Sequence, residues 1–238
     1  MSQDQTATAK WQPIAAGDTF TPRSPGPVTL AGRYVLLEPL DDNHAEGLFN
    51  ALNSDDQDAL QRFTADPVCT STAEVSALIE QKRITENAAY FASIDHFSGD
   101  TLGYAALMRA DQRHRTIELG NLLFTSGLRR KRAGTEVVYL LLRHAFEDLG
   151  YRRLEWKCNS INMPSRNAAL RYGFSFEGVF RQHMIVKSAS RDTAWFSMLD
   201  HEWPYRREAL ETWLEPDNFD AYGTQFTALS ELNGVGGS

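Results

Sequence analysis

The segment Gly127-Leu-Arg-Arg-Lys-Arg-Ala-Gly134 places four consecutive cations where a long helical apolar stripe begins, with Thr135 following. A helix N-terminus carries free N–H groups and the positive end of the helix dipole, so this turn is suited to phosphate, and a pyrophosphate is its natural guest. From Thr116 to Phe176 the order is strand, basic turn, long helix, strand, short helix and a Gly-Phe stop. That order builds a nucleotide-carrier site where two strands part. The other reactive side chains carry less chemistry. Cys69 and Cys158 are far apart and have neither disulfide-framework nor metal-ligand spacing. Cys158 lies in an apolar strand and reads as an inert thiol. His144 and His183 are isolated, so no metal site is predicted.

The elements that must position this turn follow from periodicity and punctuation. With 42% apolar residues the chain of 238 can bury a full core, and its net charge of −7 makes the basic turn a local exception. General nucleic-acid binding, which needs a broad cationic face, is excluded on that ground. Residues 1–27 are rich in Pro, Gly and Thr and read as an extended arm, with Trp11 and Phe20 as anchors. Arg33–Pro39 reads as a strand, and Asp41 or Asp42 caps a helix running to about Asn53. The acidic run at Asp55, Asp56 and Asp58 reads as a solvated loop. Val75, Leu78, Ile79 and Lys82 predict a helix from Ser71 or Thr72 to Glu86. Ala89–Asp95 and Thr101–Arg109 flank Phe97-Ser-Gly-Asp100 as a hairpin, and Thr116–Phe124 extends it, interrupted at Gly120-Asn121. A glycine inside a strand marks a bulge or a close backbone approach.

The helix after the turn runs to Leu149, burying Val138, Leu141, Leu142 and Ala145, and stops at Gly150. Arg153–Cys158 and Pro164–Tyr172 follow as strand and helix. Then come a strand pair around Ser188–Asp192, a helix after Pro204, a tail over 216–238, and disordered final residues from Asn233. The prediction is one domain over 28–215 of α/β class with a mixed sheet. The polar first ten residues and the lack of an apolar run near the roughly 18 residues of a membrane span predict a soluble cytoplasmic protein.

The run from Ile117 through Phe176 resembles the GNAT acetyltransferase superfamily, specifically the Rim-type branch that acetylates protein N-termini. The matching segments are Glu118, the turn Arg129–Gly134 with Thr135-Glu136, His144–Gly150, Arg153-Leu-Glu-Trp156, Asn162-Met-Pro-Ser165, and Arg171-Tyr-Gly-Phe174 with Glu177-Gly178. The resemblance implies the GNAT acyl-CoA N-acyltransferase fold: a mostly antiparallel sheet with a splayed central strand pair and flanking helices. It implies acetyl-CoA as co-substrate, an amine acceptor (peptide or small molecule), and a monomer or homodimer with no nucleic acid, membrane or metal partner. Arg132 departs from the family turn, standing where its first Gly is usual.

In the resemblance, Arg129, Arg130, Lys131, Arg132, Ala133, Gly134 and Thr135 hold the pyrophosphate. Leu122, Leu123 and Phe124 pair with pantetheine as a false strand, and Asn162 and Arg166 lie along the same cofactor. An N–H beside the Gly120-Asn121 interruption polarises the thioester carbonyl. Glu118 is the candidate base, directly or through water, with a structural Glu paired to an Arg as its alternative. Ser165 is placed near the sulfur, with a helix cap as its alternative. The Tyr that many members carry four residues before the Gly-Phe pair is Ala169 here, so Ser165 or water takes over as acid. Two rivals stay open: a catalytically silent acyl-CoA-binding module, favoured by the missing Gly and Tyr, and a small-molecule amine acetyltransferase.

Overall fold

The computed structural model describes residues 19–234. Trp11 and the last four residues lie outside that range. Eight strands form one sheet in the order β1-β2-β3-β4-β5-β6-β8-β7. Their ranges are Leu30–Ala31, Val35–Pro39, Ala89–Asp95, Thr101–Asp111, Thr116–Phe124, Arg153–Asn159, Ser175–Val186 and Ala189–Leu199 for β1 to β8. Every pairing is antiparallel except β5 with β6. The crossover from β5 to β6 is supplied by helix α4, Arg132–Arg143, as a parallel pair requires.

Alternation along each strand assigns the two faces. Ile117 and Leu119 of β5, with Leu154, Trp156 and Cys158 of β6, pack with Val137, Val138 and Leu141 of α4 and with α6, Trp203–Leu214. The opposite face carries a second core in which Tyr90, Tyr104 and Leu123 meet α1, Ala45–Asn53, and α3, Thr72–Arg83. Glu118, one residue out of phase with Ile117 and Leu119, belongs to this second face.

Several local expectations are met and several are corrected. Asp41 and Ser71 accept from Asn43 N and Glu74 N as caps. The α4 helix passes into a π turn over His144–Asp148 before Gly150, whose φ of +81° supplies the left-handed stop. The acidic run is not a solvated loop. Asp56 caps a short helix α2, Gln57–Gln61, and the carboxylate of Asp55 accepts from Ser126 N and pairs with Arg129. The β7–β8 turn is not Ser188–Asp192 but the two residues Lys187 and Ser188, both at positive φ as the twist of a two-residue hairpin demands. Asn233 is not disordered: it is buried, donates to the Arg171 carbonyl and accepts from Arg206. The segment before it packs on the core through Phe219 and the buried Leu229 of α7, Leu229–Leu232.

Candidate functional site at the strand parting

β5 and β6 stay paired only as far as Glu118 opposite Glu155. Past that point β6 continues with β8 on its far side and β5 continues with β4, so the facing edges of the two strands separate. β5 is also irregular there. Gly120 pairs with Ala106 and Leu123 with Tyr104, which leaves Asn121 and Leu122 opposite the single residue Ala105, with Asn121 at φ 46°. The interruption read at Gly120-Asn121 is therefore a bulge immediately beyond the parting.

A buried polar cluster underlies the bulge. Lys82 Nζ pairs with Asp66 Oδ1 at 2.9 Å, and Tyr104 donates to Asp66 Oδ2. With its amide turned to suit, Asn121 accepts from Lys82 Nζ at 3.0 Å and donates to Asp66 Oδ2 at 2.9 Å. The ammonium also lies over the rings of Tyr104 and Tyr90. Burial pulls the Lys82 pKa down against the raising influence of Asp66, and burial together with Asp66 holds the Tyr104 hydroxyl well above its ordinary value.

The basic turn leads from β5 into α4. Unlike α2, α3 and α5 (Met163–Arg171), α4 begins with no side-chain cap on its N-terminus, and it has no acidic residue in its first turn. Its leading N–H groups lack intrahelical carbonyls, which leaves the end electropositive. Gly134 is demanded by close approach: a Cβ there would collide with the carbonyl oxygen of Leu128. The left-handed residue of the turn is Arg130, at φ 59°, so the Gly expected at position 132 is not needed for the bend.

The comparisons with known proteins decide the family. A model of the acetyltransferase (GNAT) domain matches residues 35–175. The chain belongs to the GNAT acetyltransferase family. A GCN5-related N-acetyltransferase from Brucella melitensis is 42% identical, with a TM-score of 0.85 over 91% of this chain and 99% of that one. A "probable acetyltransferase (GNAT family)" from Chromobacterium violaceum ATCC 12472 is 36% identical, with a TM-score of 0.75 over 81% and 96% of the two chains. "Uncharacterized N-acetyltransferase YoaA" of Bacillus subtilis is 26% identical over 169 residues, 69% of this chain and 93% of that one. The fold is thus the GNAT fold, the protein is an acetyltransferase, and its family uses acetyl-CoA.

Within this GNAT enzyme the predicted residues fall into three groups. Leu122, Leu123 and Phe124 line the parting, with Leu123 turned into the α1–α3 core. Of the turn cations, Arg129, Arg130 and Lys131 are exposed, and Arg129 is paired with Asp55 at 2.6 Å. Arg132 lies over the rings of Tyr34 and Phe219, so the charge expected to reach toward phosphate is engaged with aromatic rings. Ala133, Gly134 and Thr135 are buried in the first turn of α4, and the Thr135 hydroxyl accepts from Arg171.

Glu118 stands at the last paired position before the parting, its carboxylate 5% exposed, accepting from Arg109 Nη1 at 2.7 Å and pairing with Lys157 Nζ at 3.0 Å. The helix-cap alternative for Ser165 does not hold: Asn162 caps α5, Met163–Arg171, by accepting from Ser165 N. The Ser165 hydroxyl instead accepts from Trp156 Nε1 at 3.0 Å. Arg166 donates to the Ser160 carbonyl. Ala169 is fully buried. Burial pushes the Cys158 thiol up, as an inert cysteine requires. Among the described residues no group of His, Cys, Asp and Glu could hold a metal, and no helix is long and apolar enough to cross a membrane.

Sequence reasoning took Lys82 only as part of a helical stripe and Asp55 only as loop, and it did not single out Asp66 or Tyr104. The partners that give these four their roles lie on other elements.

Proposed function

We propose that this enzyme transfers the acetyl group of acetyl-CoA to a primary amine by direct attack of the amine on the thioester carbonyl. The observation that carries the reading is the coincidence of three features: strands that part at Glu118, a left-handed bulge on the next residues, and an uncapped, cation-flanked helix end after the same strand.

The residues present fit the co-substrate. The exposed Arg130 and Lys131, with the leading N–H groups of α4, supply donors and positive charge for the pyrophosphate. The unpaired edge of Leu122–Phe124 supplies backbone groups for pantetheine, and the bulge supplies an N–H for the carbonyl oxygen as negative charge develops on it. Asn162 uses its Oδ1 as a cap, which leaves its amide N–H groups for the pantetheine carbonyls. Arg166 borders the same segment.

Attack forms the N–C bond and leaves an extra proton on nitrogen. Glu118 is the base for that proton, directly or through water, since it is the only carboxylate on β5 and lies at the parting. The C–S bond then breaks and the thiolate collects a proton. Ser165 is suited to give it, because its hydroxyl oxygen accepts from Trp156 and its own proton, which already lies within reach of the Cys158 sulfur, is the one left to donate. The Rim-type resemblance favours a peptide α-amine as acceptor, and a small amine is the alternative.

Thiol release from acetyl-CoA, followed with peptides and small amines and checked by the mass of the product, tests the reading. An acetylated amine with one free thiol per transfer is expected. Binding of acetyl-CoA with no transfer to any amine would leave the silent acyl-CoA-binding module.

A further inference from the structure

The cations and carboxylates beside Glu118 almost balance, and the imbalance falls on one residue. Arg109 pairs with Glu118, Lys157 bridges Glu118 and Glu155, and Arg153 pairs with Glu155 and Glu177. Three cations thus share three carboxylates. Arg191 on β8 stands outside this set. It shares the strand face of Thr193 and Trp195 by alternation, has no carboxylate at ion-pair distance among the described residues, and its shielded Nε has no hydrogen-bond partner. That face is the one on which Trp195, opposite Lys157 in the β6–β8 register, carries the ammonium that pairs with Glu118. Trp195, whose ring carries Lys157 Nζ at 3.9 Å, likewise has a shielded indole N–H with no partner.

Shielded donors in folded proteins are nearly always satisfied, and the Nε of the half-buried Arg191 is one that is not. A guanidinium in that state, on the strand face that carries the partner of the candidate base, is matched to a planar anion brought by the ligand. We infer that Arg191 is the carboxylate site of the acceptor, so the substrate class is a primary amine that also carries a carboxylate, with the amine at Glu118 and the carboxylate at Arg191.

This inference rests on the acetyl-transfer reading and takes its acceptor a step further. The carboxylate could be that of a free amino acid or an acidic side chain near a peptide N-terminus. The test compares L-amino acids, their carboxamides, and C-terminally amidated tripeptides with Asp or Asn at the second position, using wild type, Arg191→Gln and Arg191→Met. Expected is a preference for acid over amide of about ten- to hundredfold in kcat/KM, as a charged hydrogen bond gives, collapsing to about one in Arg191→Gln through KM. Which pair shows the preference identifies the source of the carboxylate. Equal efficiency for acid and amide in wild type, or a preference that survives Arg191→Gln, overturns the inference.

A second readout does not depend on turnover. Without ligand, Arg191→Met is expected to melt above wild type, since it removes a shielded donor that has no partner. The carboxylate-bearing amine should raise the melting temperature of wild type but not of Arg191→Gln. If no amine is acetylated the acetyl-transfer reading fails by itself, and this thermal comparison still decides for or against a carboxylate at Arg191.

Discussion

Two charged clusters flank the bulge of β5, and they are built differently. On the α1–α3 side, Lys82, Asp66, Tyr104 and Asn121 satisfy one another completely within a buried pocket. On the β6–β8 side, Arg191 and Trp195 keep donors that no protein group meets. The closed cluster has nothing left to offer a ligand, and its effect is on the backbone: it grips the side chain of Asn121 and so holds a non-glycine residue in the left-handed region. The open cluster fixes little backbone and has donors to spare. A site thus separates into a part that sets geometry and a part that meets the substrate, distinguishable by hydrogen-bond completeness.

Substitutions can break or sharpen this contrast. The largest effect is expected from Lys82→Met, which strands the buried Asp66 carboxylate and should cost about 3–5 kcal/mol in urea unfolding. A loss below about 1 kcal/mol would mean the closed cluster does not hold the fold. The opposite sign expected for Arg191→Met makes the contrast sharp.

Glu118→Gln is next. It keeps the shape and a hydrogen bond from Arg109 but removes the base, so turnover should drop about 100-fold while acetyl-CoA affinity changes little. An unaltered pH–rate profile in this variant would assign Glu118 to ion pairing alone, the role its contacts with Arg109 and Lys157 already provide.

Ser165→Ala leaves the Trp156 indole N–H without its acceptor, which should lower stability by about 1–3 kcal/mol. Turnover corrected for folded fraction separates the two roles: a further fall supports proton donation to sulfur, and normal turnover leaves only the Trp156 contact.

The smallest effect concerns pH. The hydrogen bond from Arg153, with that of Ser197, holds the Glu177 carboxylate below its ordinary value. Its contribution is therefore present above the unfolded pKa and lost as pH falls through the lower folded one. The side chain is 42% exposed, so screening limits the effect to well under about 1 kcal/mol. Glu177→Gln should flatten the acid limb of the stability curve slightly, and an unchanged limb would remove this pair from the account.

What was legible in the sequence was local. The strand, turn, helix and strand order, the bulge at Gly120-Asn121 and the stops at Gly150 and Gly173 are each written in residues a few positions apart. Asp55 gripping the basic turn and Asp66 meeting Lys82 depend on chain segments brought together only by the sheet. A cap at Ser165 stood as an alternative because Asn and Ser both suit that position, and the hydroxyl partner, Trp156, sits on another element. The Lys187-Ser188 turn lacks the Asn-Gly chemistry that announces such hairpins. Arg132 looked free because its aromatic partners, Tyr34 and Phe219, come from opposite ends of the chain.

The central claim is that acetyl-CoA lies in the parting, along Leu122–Phe124 and against the start of α4. Amide hydrogen exchange of the whole protein, with and without acetyl-CoA, tests this most directly. The predicted result is slowed exchange concentrated in peptides covering 119–124 and 130–136. Tight binding with no protection in either segment would contradict the account.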